Sequence, residues 1–258
     1  MGTGLNLEAR ALVLFWQLTG LLVRAESGAA RSAQLALVQD LIATMGLSPM
    51  TKAQSIALLK QVLGERGAQL SIPAVATQFK QVVSSAPVTL DFVFELLVAV
   101  ALAAGPLSPA RLKLLLSFAA ELAVDKVRLQ HIVHLRQHEL NLARSFKGKP
   151  LAYQAFTLPQ PQQGHHEPPL AHEATPLLTA AERHAQRRVH PAVIAYACDL
   201  LALERNFSLE QAAAATQLLV LHYAPVQLER AHMPRPLIRL AQKKVADAIS
   251  AFNLLRRL

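Results

Sequence analysis

LLVLHYAPVQLERAHMPRP, residues 218–236, is an apolar helix end that runs into a loop carrying Pro225, Pro234 and Pro236, with a second helix following at once. The second helix, Pro236–Arg257, is amphipathic. Leu237, Ala241, Val245, Ala248, Phe252 and Leu255 recur in steps of three and four, which lays them along one face. Arg256 and Arg257 suit its C-terminal dipole. Upstream, the helix Ser208–Tyr223 opens on Ser208 and Gln211, a capping-box pair, and Pro191–Leu203 reads as a helix before it. Three helices with a proline loop between the second and third predict a small helical domain over 189–258.

The N-terminal part is helical too. In Leu7–Arg24, Ala11, Phe15, Leu18 and Leu22 share a stripe with Trp16 beside it. Gly28 breaks the chain, and Ser32 starts Ala33–Met45, with Leu35, Val38, Leu41, Ile42 and Met45 on its apolar side and Gly46 at its end. Thr51–Glu65 follows, then Ala74–Val83 after Pro73, Thr89–Ala104, Pro109–Ala123, and Lys126–Ala143 capped by Asp125. A shift of 77 residues, without a gap, sets Gly28 on Gly105, Leu35 on Leu112, Leu37 on Leu114, Val38 on Leu115, Leu41 on Phe118, Met45 on Leu122 and Leu47 on Val124. The coincident glycine and exit turn point to a duplicated helical hairpin within a domain over 1–146. Residues 147–188, with Pro150, Pro159, Pro161, Pro168, Pro169 and Pro176 among Gln and His, have the composition of an extended linker.

Composition agrees with an all-α chain. Of 258 residues, 52% are hydrophobic, only 5% are aromatic, and Gly numbers 10, so most positions tolerate helix. The net charge of +9 is spread evenly: 1–146 hold 13 Lys/Arg against 9 Asp/Glu, and 147–258 hold 13 against 8. With no basic run longer than two residues, a solvated surface of basic bias is expected rather than a nucleic-acid interface, while an anionic membrane face stays open. Cys198 is the only cysteine, which excludes an internal disulfide and suits a reducing compartment. No signal peptide is expected at MGTGLNLEAR. The two charge-free windows, 96–110 and 211–228, are interrupted by Gly105, Pro106 and Pro109, and by Gln217, His222 and Pro225, so neither is expected to span a bilayer. The expected location is cytoplasmic, with attachment to the inner membrane face as the variant.

Chemistry-bearing residues are sparse. His131, His134 and His138 stand at i, i+3 and i+7 on the seventh helix; zinc would need a further ligand, and a polar helix face explains the same letters. His165, His166, Glu167 and His172 lie in the linker without helical metalloprotease spacing. Cys198 reads as a core residue. There is no Gly-rich phosphate loop, no GxSxG and no assembled carboxylate pair, so no catalytic residue and no cofactor are expected. Leu221, Tyr223, Val226 and Leu228 make the loop face apolar; they either pack on the domain's own helices or present a partner surface.

The order helix, helix, proline loop, helix resembles a J-domain. Ala197-Cys198-Asp199-Leu200-Leu201-Ala202-Leu203 is similar to the first helix with its "LGV" turn, and Ala251-Phe252-Asn253-Leu254-Leu255 to the "AYE-hydrophobic-hydrophobic" end of the third. Met233-Pro234-Arg235-Pro236 looks like the "LPPE" segment of the DjlA type, the membrane-anchored DnaJ-like co-chaperones. That family also carries an N-terminal TerB-like domain, whose two "DG" turns would fall at Gly28 and Gly105. The resemblance covers most of residues 9–258, and it departs where the chemistry lies. The His-Pro-Asp of a J-domain is Ala224-Pro225-Val226 here, and Ala213, Ala214, Gln217 and Leu218 replace the basic docking face. Ser27 and Ala104 stand where acidic residues would flank the TerB-like turns, and Gln34 and Arg111 where carboxylates would complete a cation site. The family's N-terminal membrane helix is not expected either.

The resemblance therefore implies a non-enzymatic adaptor or regulator acting on an unknown protein partner, without stimulating a DnaK-type ATPase. Two alternatives stay open: a J-like factor that binds a DnaK-type chaperone by unconventional contacts, and a basic peripheral binder of membrane or nucleic acid.

Overall fold

The computed structural model describes residues 2–83, 86–145, 189 and 191–258, and among these all regular structure is helical. The stretch 147–188 expected to be a linker, with its histidines, lies outside the described residues. The helices are α1 (Gly2–Arg24), α2 (Gly28–Thr44), α3 (Pro49–Leu63), α4 (Ile72–Val82), α5 (Pro87–Ala103), α6 (Pro109–Glu121), α7 (Lys126–Ser145), α8 (Pro191–Leu200), α9 (Leu209–His222), α10 (Pro225–Arg230) and α11 (Arg235–Leu255), with a 3₁₀ turn at Glu65–Gln69. The chain forms two compact units, one of residues 1–138 with 220–245, the other of 139–219 with 246–258. The segment with the proline loop thus belongs to the same compact body as the N-terminal helices.

In the first unit α5 is the central rod. Its run of Phe, Leu and Val leaves no polar stripe, and twelve of its residues from Thr89 to Leu102 are buried. α1 packs on α3, α4 and α5, α2 packs on α5, and α4 and α6 pack together. The stripe of Ala11, Phe15, Leu18 and Leu22 is fully buried with Trp16. Gly20 lets α1 approach α3: a Cβ there would stand 2.6 Å from Val62 Cγ1.

Helix boundaries at the exit turn coincide in the 77-residue register. Gly28 and Gly105 both take positive φ, +56° and +101°. α2 ends at Thr44 and α6 at Glu121, α3 starts at Pro49 and α7 at Lys126, and the pairs Val38/Leu115 and Met45/Leu122 are buried.

Helix starts follow local capping. Ser48, Ser71 and Ser108 accept from the backbone N–H of Thr51, Ala74 and Arg111. Asp125 accepts from Arg128 N at 2.8 Å, and Ser208 and Gln211 form both bonds of their box, at 2.7 and 3.1 Å. Two expectations are corrected. α2 begins at Gly28, so Ser32 is an interior residue whose hydroxyl donates to the Gly28 carbonyl at 3.2 Å. The proline loop contains helix α10, because Pro225 at its first position lacks only an N–H that has no helical partner there.

The second unit buries Val193, Tyr196, Ala197, Cys198 and Leu200 of α8, Ala212 and Thr216 of α9, and Ala248, Ala251 and Leu255 of α11. α8 closes in a Schellman motif: Leu203 N donates to Cys198 O at 2.8 Å, Ala202 N to Asp199 O at 3.1 Å, and Ala202 has φ +53°. Ala202 is the middle residue of Leu201-Ala202-Leu203, held in a conformation that suits glycine. Left-handed backbone costs a non-glycine residue roughly 1–2 kcal/mol, and added unfolded-state entropy offsets part of that. Ala202→Gly is expected to raise unfolding free energy by about 0.5–1 kcal/mol in denaturant titration.

Candidate functional site

The site is built at the α9–α10 junction. Ala224 is the N-cap of α10 and Pro225 its first residue, so Ala224-Pro225-Val226 turns the chain from one helix into the next. Leu221 and Val226 point to solvent, 57% and 56% exposed. Tyr223 and Leu228 do not: they are 2% and 1% exposed and belong to the interior. The Tyr223 carbonyl accepts from Gln242 Nε2 at 2.6 Å and its hydroxyl from Lys244 Nζ at 3.2 Å. Its ring lies edge-on to Phe92 at 5.8 Å, with the Lys244 ammonium 4.9 Å from its centroid. Of the four residues expected either to pack on the domain's own helices or to present a partner surface, Tyr223 and Leu228 are buried and Leu221 and Val226 are exposed. On α9 itself Ala213, Ala214, Gln217 and Leu218 are all exposed, so that face presents no charge.

Beneath Tyr223 lies a cluster of buried charges. Glu95, in the middle of α5, is 1% exposed. Its Oε1 accepts from Lys244 Nζ of α11 and, at 3.2 Å, from Arg128 Nη2 of α7; its Oε2 lies 3.7 Å from Arg136 Nη2. Arg128 also donates from Nε to Asp91 Oδ2 at 3.1 Å. Burial alone would raise the Glu95 carboxyl, but Lys244, Arg136 and Arg128 together hold it below its ordinary range. Burial pushes the Lys244 ammonium down despite Glu95, and lifts the Asp91 carboxyl despite Arg128. Burial and the nearby Glu95 carboxylate push the Tyr223 phenol up, so it is neutral at physiological pH.

A pH dependence follows. Glu95, whose folded value lies below the ordinary 4.5, contributes stability that is complete above that pH and lost as pH falls through the folded value. Asp91 acts in the opposite sense, its contribution fading as pH rises from 3.8 through its folded value. Melting temperatures measured down a pH series below 4.5 are expected to fall more steeply in the wild type than in Glu95→Gln, the two curves converging in acid.

No motif announces this cluster, though a signal exists. Glu95 is the lone charge in FVFELLVAV, and the 77-residue register sets it on Leu18. The same register sets Arg136 on Leu59, and both leucines are buried. The second hairpin therefore carries charges where the first carries core leucines.

The histidines lie on α7, His134 exposed and His131 and His138 half-buried. The His134 and His138 rings meet edge-on at 6.2 Å. That pair would supply two of the four ligands zinc takes. At the Gly105 turn, Arg111 Nη1 donates to the carbonyls of Ala101 and Gly105, each at 3.2 Å, and Nε lies 2.8 Å from Glu26 Oε1. A fixed cation thus sits on the turn and ties it to the α1–α2 connection. The cleft beside it, about 310 Å³, is lined by Ala25, Glu26, Lys113, Leu114 and Ser117. Gln34, at the corresponding place after Gly28, is fully buried. Cys198 is buried, and burial pushes its thiol up, which suits a core residue.

No helix among the described residues is long and apolar enough to cross a membrane. Comparison with protein-family models, curated proteins and solved structures finds no match.

Proposed function

We propose that this protein is a non-enzymatic adaptor or regulator working through protein–protein contacts, with a TerB-like part at 1–146 and a degenerate J-like part at 189–258. The observation that carries the reading is the composition of the α9–α10 junction. Ala224 and Val226 stand where a J-domain presents His and Asp, and neither side chain can donate a proton or pair a charge. Ala213, Ala214, Gln217 and Leu218 of α9, all exposed, supply none of the cations that would dock on an acidic chaperone surface. Partner recognition is assigned instead to the exposed apolar Leu221 and Val226. The proposed location is cytoplasmic, including the inner membrane face.

The direct test adds the full chain to a DnaK-type chaperone and follows ATP turnover. The rate stays unchanged on this reading, and acceleration refutes it. A second reading keeps chaperone binding without stimulation, favoured by the same exposed pair. Calorimetric binding abolished by a Leu221→Asp/Val226→Asp variant would support it, and no heat at high concentration would end it.

A further inference from the structure

Glu95, Arg128 and Arg136 lie on the second hairpin copy, and their charges all converge near Lys244 of the C-terminal segment. The first copy has Leu at the positions of Glu95 and Arg136, so an apolar solution exists within the same architecture. A buried ion pair is weak evidence for stability, because desolvation consumes most of the Coulombic gain. In some proteins such a pair serves instead to select one register, because a buried carboxylate left without its partner is costly. Two further contacts fix the same segment. Glu8 Oε1 accepts from the Arg235 backbone N–H at 2.7 Å, placing a carboxylate on the N-terminus of α11. Arg239 Nη1 donates to the Gly46 carbonyl at 2.9 Å, placing a cation at the end of α2.

We propose that the second hairpin has become a keyed socket for the chain's own residues 220–245, with Glu95 as the socket and Lys244 as the key, and that this latch sets whether the Tyr223 loop is held or released. Lys244 grips Tyr223 through its hydroxyl and its ring face while it pairs with Glu95. Neutralising Glu95 therefore loosens the grip of Lys244 on the residue that immediately precedes the Ala224-Pro225-Val226 turn, leaving Gln242 and Phe92 to hold it. The exposed Leu221 and Val226 flank the same turn, so a partner that seats on them draws on the latch equilibrium. The latch is independent of which partner is bound: it concerns how the chain holds its own loop.

Hydrogen exchange on the full chain tests it. In Glu95→Gln the amides of 223–233 and 240–245 are expected to lose protection by about tenfold or more, while α3 and α4 keep theirs. The double variant Glu95→Leu/Lys244→Met removes both members of the pair at once; Arg128 keeps Asp91, and Arg136 is about a fifth exposed. Its α3 and α4 amides stay as protected as in the wild type, while those of 223–233 lose protection again. Loss spread evenly over the unit in Glu95→Gln, or full protection of 223–233 in the double variant, would show a plain core contact and overturn the latch. Loss of DnaK-type binding or its absence bears on the proposed function alone and leaves this result untouched.

Discussion

Lys244→Met lowers the unfolding free energy by about 3–5 kcal/mol, because it leaves the Glu95 carboxylate buried without its nearest counter-charge. Arg128 and Arg136 still face Glu95, at 3.2 and 3.7 Å, and place the expected loss toward the lower end of that range. Their side chains are 29% and 22% exposed, so water weakens what they return. Glu95→Leu in the Lys244→Met background is expected to recover part of the loss, since an apolar pair spares the desolvation of a lone carboxylate while Arg128 and Arg136 lose Glu95. Denaturant titration of the two single variants and the double closes the cycle. A strongly non-additive result is expected, and simple addition would mean that the two side chains do not act on each other.

Gly67→Ala is the second large effect, costing about 3 kcal/mol, at the upper end of what overpacking brings. Gly67 sits in the 3₁₀ turn, its N–H on the Gly64 carbonyl and its own carbonyl accepting from Leu70 N. A Cβ there would fall inside the contact radius of the Val62 carbonyl oxygen, with the Arg24 guanidinium 3.1 Å away on another side. The obstacle is backbone, so no rotamer relieves it. Gly20→Ala is the control. It meets only the Val62 side chain and gains up to roughly 1 kcal/mol of helix propensity, so a smaller loss is expected. Equal losses in the two would argue that Val62 and its turn give way together.

The helices were legible because apolar residues recur every three or four positions and because caps are local. The Asp125 cap and the Ser208–Gln211 box need only their own first turn to form, and both are present. Ser48-Pro49, Ser71-Ile72-Pro73 and Ser108-Pro109 carry the same kind of cue, a hydroxyl cap followed by proline within the first turn. In α10 the proline cue was outweighed by its setting among three prolines, which favours an irregular loop over a helix of six residues. Tyr223 and Leu228 could not be assigned from sequence, since an apolar side chain beside a turn reads the same whether it faces inward or out. The groups that fix Tyr223 come from Gln242 and Lys244 of α11 and from Phe92 of α5, and Glu95 and Lys244 are 149 residues apart. Periodicity places each in its own helix, and nothing local says that they meet. The register of the repeat came nearest, by setting Glu95 on Leu18, but an odd residue in a repeat names no partner.

The proposed function stands most directly on one measurement: single-turnover ATP hydrolysis by a DnaK-type chaperone, with and without saturating full-length protein, alongside a working J-domain as positive control. On the proposed reading, in which Ala224 and Val226 occupy the positions of a J-domain's His and Asp, the rate in the presence of this protein equals the basal rate. Acceleration approaching the positive control would contradict the account.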